Sequence, residues 1–322
     1  MEDGRSREGI DSITRYLLIS VLTLFLIMVP ASAGAVPNGS PLHNATAPQV
    51  VYVGTFVQDF SRLDIKQGSV EALFFTNLHS DTPFSIRDFE VINGQISQVT
   101  VISDTPTEKY YRFSAVMTLD PDLRNFPFDS QTLPIIIEPK NLTEQSLVLV
   151  IDKNESGLAR DAGIPGWEYT GTGYLVTNQS YEDEVTPYSR AIFSYGITRD
   201  SASTVLKFFL PILIIVIISL ASLMMKVTSR LGVNASMFLA AVMIHWRLAD
   251  AVPVVAYATF LDVFMIITYA ILLMVLISSM LILTSMESRD TARVEQIYRW
   301  SIRIIPLLSV TLYLLLLLSL VL

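Results

Sequence analysis

The chain has 322 residues, of which 51% are hydrophobic and 16% charged, with a mean hydropathy of +0.49 and a net charge of −8. So high a hydropathy is unusual for a soluble globular protein, and the absence of cysteine excludes disulfides and thiolate metal sites. Residues 36–200 hold 11 basic and 21 acidic side chains, whereas residues 201–322 hold 8 and 5. This division predicts an acidic soluble domain followed by a membrane domain.

The first 35 residues have the pattern of a secretory signal peptide. Arginines precede an apolar run at residues 16–29, which is followed by Pro30 and small residues. The run is short for a comfortable membrane span, although an uncleaved anchor remains the alternative. A cleaved signal peptide predicts that the acidic domain, residues 36–200, is exported.

The exported part consists of short runs rich in β-branched and aromatic residues, which are typical of strands. These runs are residues 50–57, 70–75, 98–102, 110–119, 133–137, 147–151, 173–177 and 190–197. Turn signals such as Asn93-Gly94 and Pro165-Gly166 separate several of them. Because no helical pattern intervenes, the sequence predicts an antiparallel β-sandwich.

The last third of the chain contains four apolar segments, each near the ~20 residues that a helix needs to cross a bilayer. They predict a four-helix transmembrane domain, residues 201–322, with helices at about 204–225, 231–250, 262–284 and 302–322. The first and third links carry Lys and Arg, which predicts that they are cytoplasmic. The second link carries neither and is expected outside, together with the β-domain.

The second segment, LGVNASMFLAAVMIHWRLAD, mixes polar side chains with apolar ones. At about 100° per residue, six residues of this segment, polar and apolar, fall on one narrow stripe of the helix. The six are Gly232, Ser236, Leu239, Met243, Trp246 and Asp250. Because polar groups are costly in lipid, the stripe predicts a pore lining, with packing inside one subunit as the alternative. Asn234 and His245 fall on the opposite side, where hydrogen bonds to neighbouring helices are expected.

Residues 119–133 of the β-domain read LDPDLRNFPFDSQTL, with Phe-Pro-Phe-Asp at residues 126–129. The stretch resembles the signature loop of pentameric ligand-gated ion channels, the Cys-loop receptor superfamily. Leu119 and Leu133 stand where animal members have two cysteines, which is similar to the prokaryotic, cysteine-free branch. Arg199 before the first membrane segment and Pro211 within it extend the resemblance, which covers about residues 49–322.

The resemblance implies a homopentamer in the plasma membrane, crossed several times by each chain, with the second helix lining a central pore. Arg230 matches the basic residue that opens this helix in the family, and Leu239 matches its hydrophobic pore residue. The implied partners are the lipid bilayer, permeating small ions and an unknown extracellular agonist. Neither a cofactor, a metal, a nucleic acid nor an enzymatic activity is expected.

The charges near the predicted pore leave ion selectivity open. The sequence Thr228-Ser229-Arg230 lacks the inner carboxylate common in cation channels of the family. Asp250 and the acidic exported domain favour cations, whereas Arg247 opposes them. We therefore expect cation selectivity, with an anion channel, or a non-conducting sensor or adhesion protein, as alternatives.

Two further groups of residues follow from the resemblance. Gating at the junction between the domains is assigned to Asp64, Phe126, Pro127, Phe128, Asp129, Arg199, Pro253 and Tyr257. Ligand binding is assigned to Glu138, Tyr181 and Tyr188, near a hairpin at residues 180–189. Aromatic faces and carboxylates suit a small amine, and protons or calcium are other possible agonists. The alternative for these tyrosines is an ordinary surface strand.

Overall fold

A computed structural model describes residues 47–182, 186–250 and 252–320 of the chain, leaving out the side chains of Ser201 and Thr204. In this part, β-strands come first and long helices follow. The predicted signal peptide, residues 1–35, lies outside the described residues.

The strands form two sheets. They are β1 (Gln49–Asp64), β2 (Ser69–His79), β3 (Phe89–Val91), β4 (Gly94–Asp104), β5 (Glu108–Thr118), β6 (Ser130–Pro139), β7 (Leu147–Ile151), β8 (Gly157–Leu158), β9 (Trp167–Gln179) and β10 (Tyr188–Arg199). One sheet has the order β4-β5-β2-β1-β7, with β8 beside β1, and the other has the order β3-β6-β10-β9. The pairs of β1 with β7 and β8 are parallel and the others antiparallel. The predicted antiparallel sandwich is confirmed.

Alternation of side chains along the strands places the core between the two sheets. In β2 every second residue from Val70 to Leu78 is buried, and the residues that alternate with them are partly or fully exposed. The opposite sheet contributes Leu133 and Phe193 to the same cluster. Since successive side chains of a strand point to opposite faces, this period of two fixes which face of each sheet is covered.

Four helices long and apolar enough to cross a membrane follow the sandwich. They are α1 (Val205–Met224), α2 (Val227–Ala249), α3 (Phe260–Glu287) and α4 (Thr291–Leu318). The prediction of a sandwich followed by four membrane helices is therefore confirmed.

Capping explains where two of these helices begin. Thr259 and Asp262 form a capping box at the start of α3. The Asp290 carboxylate accepts a hydrogen bond from the backbone N–H of Arg293 at the start of α4. Helix α4 therefore begins at Thr291. The predicted start, residue 302, was later because the first turns of the helix are polar and the prediction followed the apolar residues only.

Candidate functional site

The predicted pore stripe of α2 is free of packing within the described chain. Leu239 is 63% exposed and Trp246 is 72% exposed, and the other four members of the stripe are exposed as well. Such large apolar side chains are normally covered, either by lipid or by another protein surface. Packing inside one subunit, the alternative considered for this stripe, does not account for it.

The opposite face of α2 is held by hydrogen bonds to the neighbouring helices. The buried Asn234 accepts from Ser219 Oγ at 2.5 Å and donates to Ser222 Oγ at 2.9 Å. His245 Nδ1 lies 2.9 Å from the Tyr269 hydroxyl of α3. The prediction that Asn234 and His245 contact other helices is confirmed.

Arg230 lies on the buried side of α2 rather than on the exposed stripe. Its side chain is 0% exposed, and its Nη2 donates a hydrogen bond to Ser278 Oγ of α3. Nε and Nη1 find no hydrogen-bond partner among the described residues. Lys226, which directly precedes α2, is an exposed cation at this end of the helix.

At the other end of α2, Asp250 is joined to the β-domain. Lys66, in the turn between β1 and β2, donates from Nζ to Asp250 Oδ1 and to its backbone oxygen, both at 2.8 Å. The hydrogen bond from Lys66, together with its charge, lowers the pKa of Asp250 below its ordinary value. Arg247 is exposed and forms no ion pair within the described residues. Lys66 was not predicted from the sequence, where its only signal was a basic residue two positions after Asp64.

The loop at residues 119–129 docks on the helices through aromatic rings. Phe128 stacks on Phe209 of α1, with ring centroids 5.4 Å apart, and meets Phe260 edge-on at 5.6 Å. Phe126 contacts Phe208 at 5.8 Å, and the peptide bond between Phe126 and Pro127 is cis. These rings form one apolar cluster that belongs to both domains.

Backbone hydrogen bonds tie the same loop to the start of α3. The N–H groups of Phe260 and Leu261 donate to the carbonyl oxygens of Arg124 and Phe126, at 2.8 and 3.1 Å. These are first-turn donors, which have no partner inside the helix itself. The loop therefore completes the hydrogen bonding of α3.

The second link, between α2 and α3, contacts the β-domain at both predicted positions. Tyr257 Oη accepts a hydrogen bond from the backbone N–H of Leu123 at 2.9 Å. Pro253 lines a cavity of about 380 Å³ together with Lys66 and Asp120. The link therefore lies against both the signature loop and the β1–β2 turn.

Asp129 and Arg199 form the ion pair at the centre of the junction. Arg199 Nε lies 2.7 Å and Nη2 3.2 Å from the two carboxylate oxygens of Asp129, which is almost fully buried. The guanidinium also lies over the rings of Trp167 and Phe126, at 4.3 and 5.2 Å from their centroids. A bidentate pair between two aromatic faces has little freedom to change partners.

Asp64, also assigned to gating, forms no ion pair with Arg199 among the described residues. Its carboxylate accepts a hydrogen bond from the backbone N–H of Gln67 and lies 3.9 Å from Arg62. The side chain thus stabilises the turn that presents Lys66, because short carboxylates readily bond to backbone N–H groups nearby.

The three residues assigned to ligand binding lie together, with one addition. Tyr181 Oη donates to Glu138 Oε1 at 2.8 Å, and its ring meets Tyr188 edge-on at 5.8 Å. Arg190, which was not predicted from the sequence, donates from Nε to Glu138 Oε2 at 2.7 Å. Burial and the hydrogen bond to Glu138 raise the pKa of Tyr181. The Glu138 charge is thus already balanced by a neighbouring cation.

The described residues contain no cluster of three or more histidine, aspartate or glutamate side chains that would hold a metal ion.

Comparisons with known proteins match the chain to channels and receptor subunits. No family model matches. The chain is 26% identical over 159 residues to a proton-gated ion channel of Gloeobacter violaceus, covering 49% of this chain and 43% of that protein. It is 22% identical to gamma-aminobutyric acid receptor beta-type subunits of Drosophila melanogaster and Lymnaea stagnalis, covering 49% of this chain and 32% of each relative. The matched region thus spans less than half the length of these relatives.

Proposed function

Because the chain belongs to the superfamily of pentameric ligand-gated ion channels, we propose that five copies surround a central pore lined by α2. The observation that carries the proposal is the exposed stripe of α2, from Gly232 to Asp250. In a pentamer, five such stripes would face one central axis. Their apolar side chains would then lie against one another, and their polar side chains would contact water in the pore. A non-conducting sensor or adhesion protein would leave the stripe without a role.

The orientation of the chain follows from the charges of its links. The chain is a multi-pass membrane protein. Lys226 lies between α1 and α2, and Arg289 lies between α3 and α4. Both links are proposed to face the cytoplasm, with the β-sandwich outside the plasma membrane.

The gate is proposed to lie at Leu239 and Met243. Both side chains are exposed on the stripe, where five copies of each would form two apolar rings. Narrow apolar rings resist wetting and thereby block ions. Trp246 would add an aromatic constriction on the extracellular side, and Ser236 and Gly232 a more polar inner part.

Opening is proposed to begin in the sandwich and to reach α2 by two routes. One runs through the Asp129–Arg199 pair and the Phe126 loop to the start of α3. The other runs through Lys66 directly to Asp250 at the end of α2. Pro253 and Tyr257 lie in the link that joins the two routes.

The stimulus is proposed to be extracellular: a proton, a small amine or calcium. A proton-gated relative supports the first, and relatives named for gamma-aminobutyric acid support an amine. Tyr181, 42% exposed, offers an aromatic face to an amine beside Glu138, whereas Tyr188 is buried against its ring. Such a ligand must compete with Arg190, which already occupies the Glu138 carboxylate.

Cation selectivity is proposed, on the ground that the exported domain holds 21 acidic and 11 basic residues. Its field would concentrate cations above the pore. Two observations favour the anion-selective alternative: Asp250 is paired with Lys66, and Arg247 is exposed beside it. The relatives that are gamma-aminobutyric acid receptor subunits are a third reason to keep that alternative.

Currents from the purified full-length protein in planar bilayers test the proposal. Leu239→Ser should ease opening, because a hydroxyl lets the ring hold water, and should lower the stimulus needed for half-maximal current. Leu307→Ser is the matched control, since this leucine is exposed on α4, away from the stripe. Equal currents from the two variants, or no current under any stimulus, would refute the pore assignment.

A further inference from the structure

Trp246 and Arg247 are neighbours in α2, and neither side chain has a partner within the described chain. Trp246 is 72% exposed, and the ring contacts of α2 are made instead by Phe238 and His245, both with Tyr269. Arg247 is exposed and forms neither an ion pair nor a side-chain hydrogen bond among the described residues. An indole and a guanidinium at one level of the helix are therefore both available for contacts outside the subunit.

The acidic side chains that α2 and α3 carry at this end are both engaged elsewhere. Asp250 lies 2.8 Å from Lys66 Nζ. Asp262 accepts hydrogen bonds at 2.8 Å from the backbone N–H and from the hydroxyl of Thr259. Neither carboxylate therefore balances the charge of Arg247.

Trp246 and Arg247 cannot contact each other within one helix. Successive residues of an α-helix point about 100° apart, and adjacent positions do not face each other. Measured from the centre of the stripe, Trp246 lies about 40° to one side and Arg247 about 60° to the other. The two side chains thus occupy opposite flanks of the stripe at nearly the same height, because the rise per residue is about 1.5 Å.

Opposite flanks of the pore helix meet in a ring of identical subunits. Cyclic symmetry joins one surface of each copy to a different surface of the next copy, and equivalent residues lie at equal heights. Five copies of α2 with their stripes inward would therefore place the Trp246 flank of each helix beside the Arg247 flank of its neighbour.

We propose that Arg247 of each subunit lies over the Trp246 ring of the adjacent subunit, so that five such pairs form a belt around the outer end of the pore. The proposal rests on the pentamer and the inward stripe proposed above. Tryptophan is the aromatic side chain that attracts a cation most strongly, and arginine is the cation found most often over such rings. The guanidinium is planar and weakly hydrated, which suits it to stacking on an indole.

A contact between two subunits needs both side chains. Removing either one abolishes the whole contact, so that removing the second has little further effect. Residues that share no contact have additive effects instead. Additivity therefore distinguishes a Trp246–Arg247 pair from two independent exposed residues.

Thermal dissociation of the purified full-length pentamer in detergent, followed by size-exclusion chromatography, tests this coupling. Trp246→Leu and Arg247→Gln should each lower the midpoint temperature, and the double variant should lie no lower than the less stable single variant. Trp300→Leu and Arg299→Gln are the matched control, because these consecutive residues are exposed on α4, away from the stripe. Their effects should be small and additive.

Cross-linking tests the proximity directly, because the chain has no cysteine of its own. Differently tagged Trp246→Cys and Arg247→Cys subunits are expressed together and treated with a short bis-maleimide. Mixed dimers should exceed the dimers that either variant gives alone. Trp300→Cys and Arg299→Cys subunits, treated in the same way, should give only background.

Two results from an intact pentamer would overturn the proposal: additive shifts of the midpoint temperature for Trp246→Leu and Arg247→Gln, or mixed dimers no more frequent than dimers of one variant. Both measurements work without a current, so either result leaves the channel assignment standing. A different number of subunits in native mass spectrometry would refute the pentamer and the belt together.

Discussion

Arg199 is held by one carboxylate and two aromatic rings, so its replacement affects several contacts at once. Asp129 would remain buried without its cation, and removing one partner of a buried pair costs about 3–5 kcal/mol. Gln131, which donates to Asp129 at 2.7 Å, is the neutral partner that remains. The pair therefore fixes the position of the signature loop relative to β10.

We predict that Arg199→Ala reaches the cell surface but conducts little or no current under a stimulus that opens the wild type. Surface labelling and whole-cell currents measure the two quantities separately. Arg62→Ala is the control, because its ion pair with Asp64 is exposed and such pairs contribute at most about 1 kcal/mol. Wild-type currents in Arg199→Ala would exclude a role of the pair in gating.

The Asp250 carboxylate allows a prediction about pH. Lys66 lowers its pKa below 3.8, so the link between the two residues is present above that value and is lost only as pH falls through the lower pKa of the folded state. Asp250 thus stays ionised between about pH 4.5 and 7.

Asp250→Asn should therefore change current amplitude equally at every pH in this range, without moving the midpoint of a proton response. Lys66→Gln should act in the same way, since it removes the same link. Both are measured by titrating current against extracellular pH. A shift of the midpoint in Asp250→Asn alone would identify this carboxylate as a proton sensor.

Among the elements, α2 has two unlike faces that are stabilised in different ways. The buried face is fixed by Asn234, which bonds to Ser219, Ser222 and the carbonyl of Arg230. The exposed face has Ser236, whose hydroxyl bonds only to the Gly232 carbonyl of the same helix. One face therefore anchors α2 in its subunit, and the other is left for the assembly.

We predict that Asn234→Ala destabilises the helical bundle by about 1–2 kcal/mol, because hydrogen bonds between membrane helices contribute up to that amount. Thermal unfolding of the purified protein in detergent measures the loss. Ser236→Ala provides the comparison, since it removes a hydroxyl from the same helix without breaking a contact between helices. Equal unfolding temperatures of the two variants would contradict the anchoring role.

The junction between the domains is also a property of elements. The sequence motif identified the loop at residues 126–129, and Arg199 followed from its place before α1. The partners of that loop did not follow from the motif. Phe209 and Phe260 were ordinary apolar residues in the sequence, and only packing showed that they contact Phe128.

At the scale of the whole molecule, charge is divided between an acidic β-domain and the basic links at the opposite end of the helices. The acidic part lies above the pore in the proposed orientation, and its field raises the local concentration of cations. Near the outer mouth, Arg247 acts in the opposite sense, while Lys66 neutralises Asp250. Selectivity is the balance of these contributions.

We predict that the reversal potential follows the sodium gradient when sodium chloride is diluted on one side of a bilayer. Arg247→Gln should increase the cation preference, because it removes the exposed cation beside the stripe. Arg289→Gln serves as the control, because it removes a cation from the link between α3 and α4, at the other end of the helices. A reversal potential that follows chloride would establish the anion-selective alternative.

The sequence by itself determined the membrane class, the β-sandwich, the four helices and the stripe on α2. These depend on hydropathy and on periods of 2 and 3.6, which are properties of short segments. The tertiary structure decided which charges meet. Lys66 and Asp250 are 184 residues apart, and Asp129 and Arg199 are 70 apart. Partners so distant along the chain depend on how whole elements pack, which no local pattern encodes.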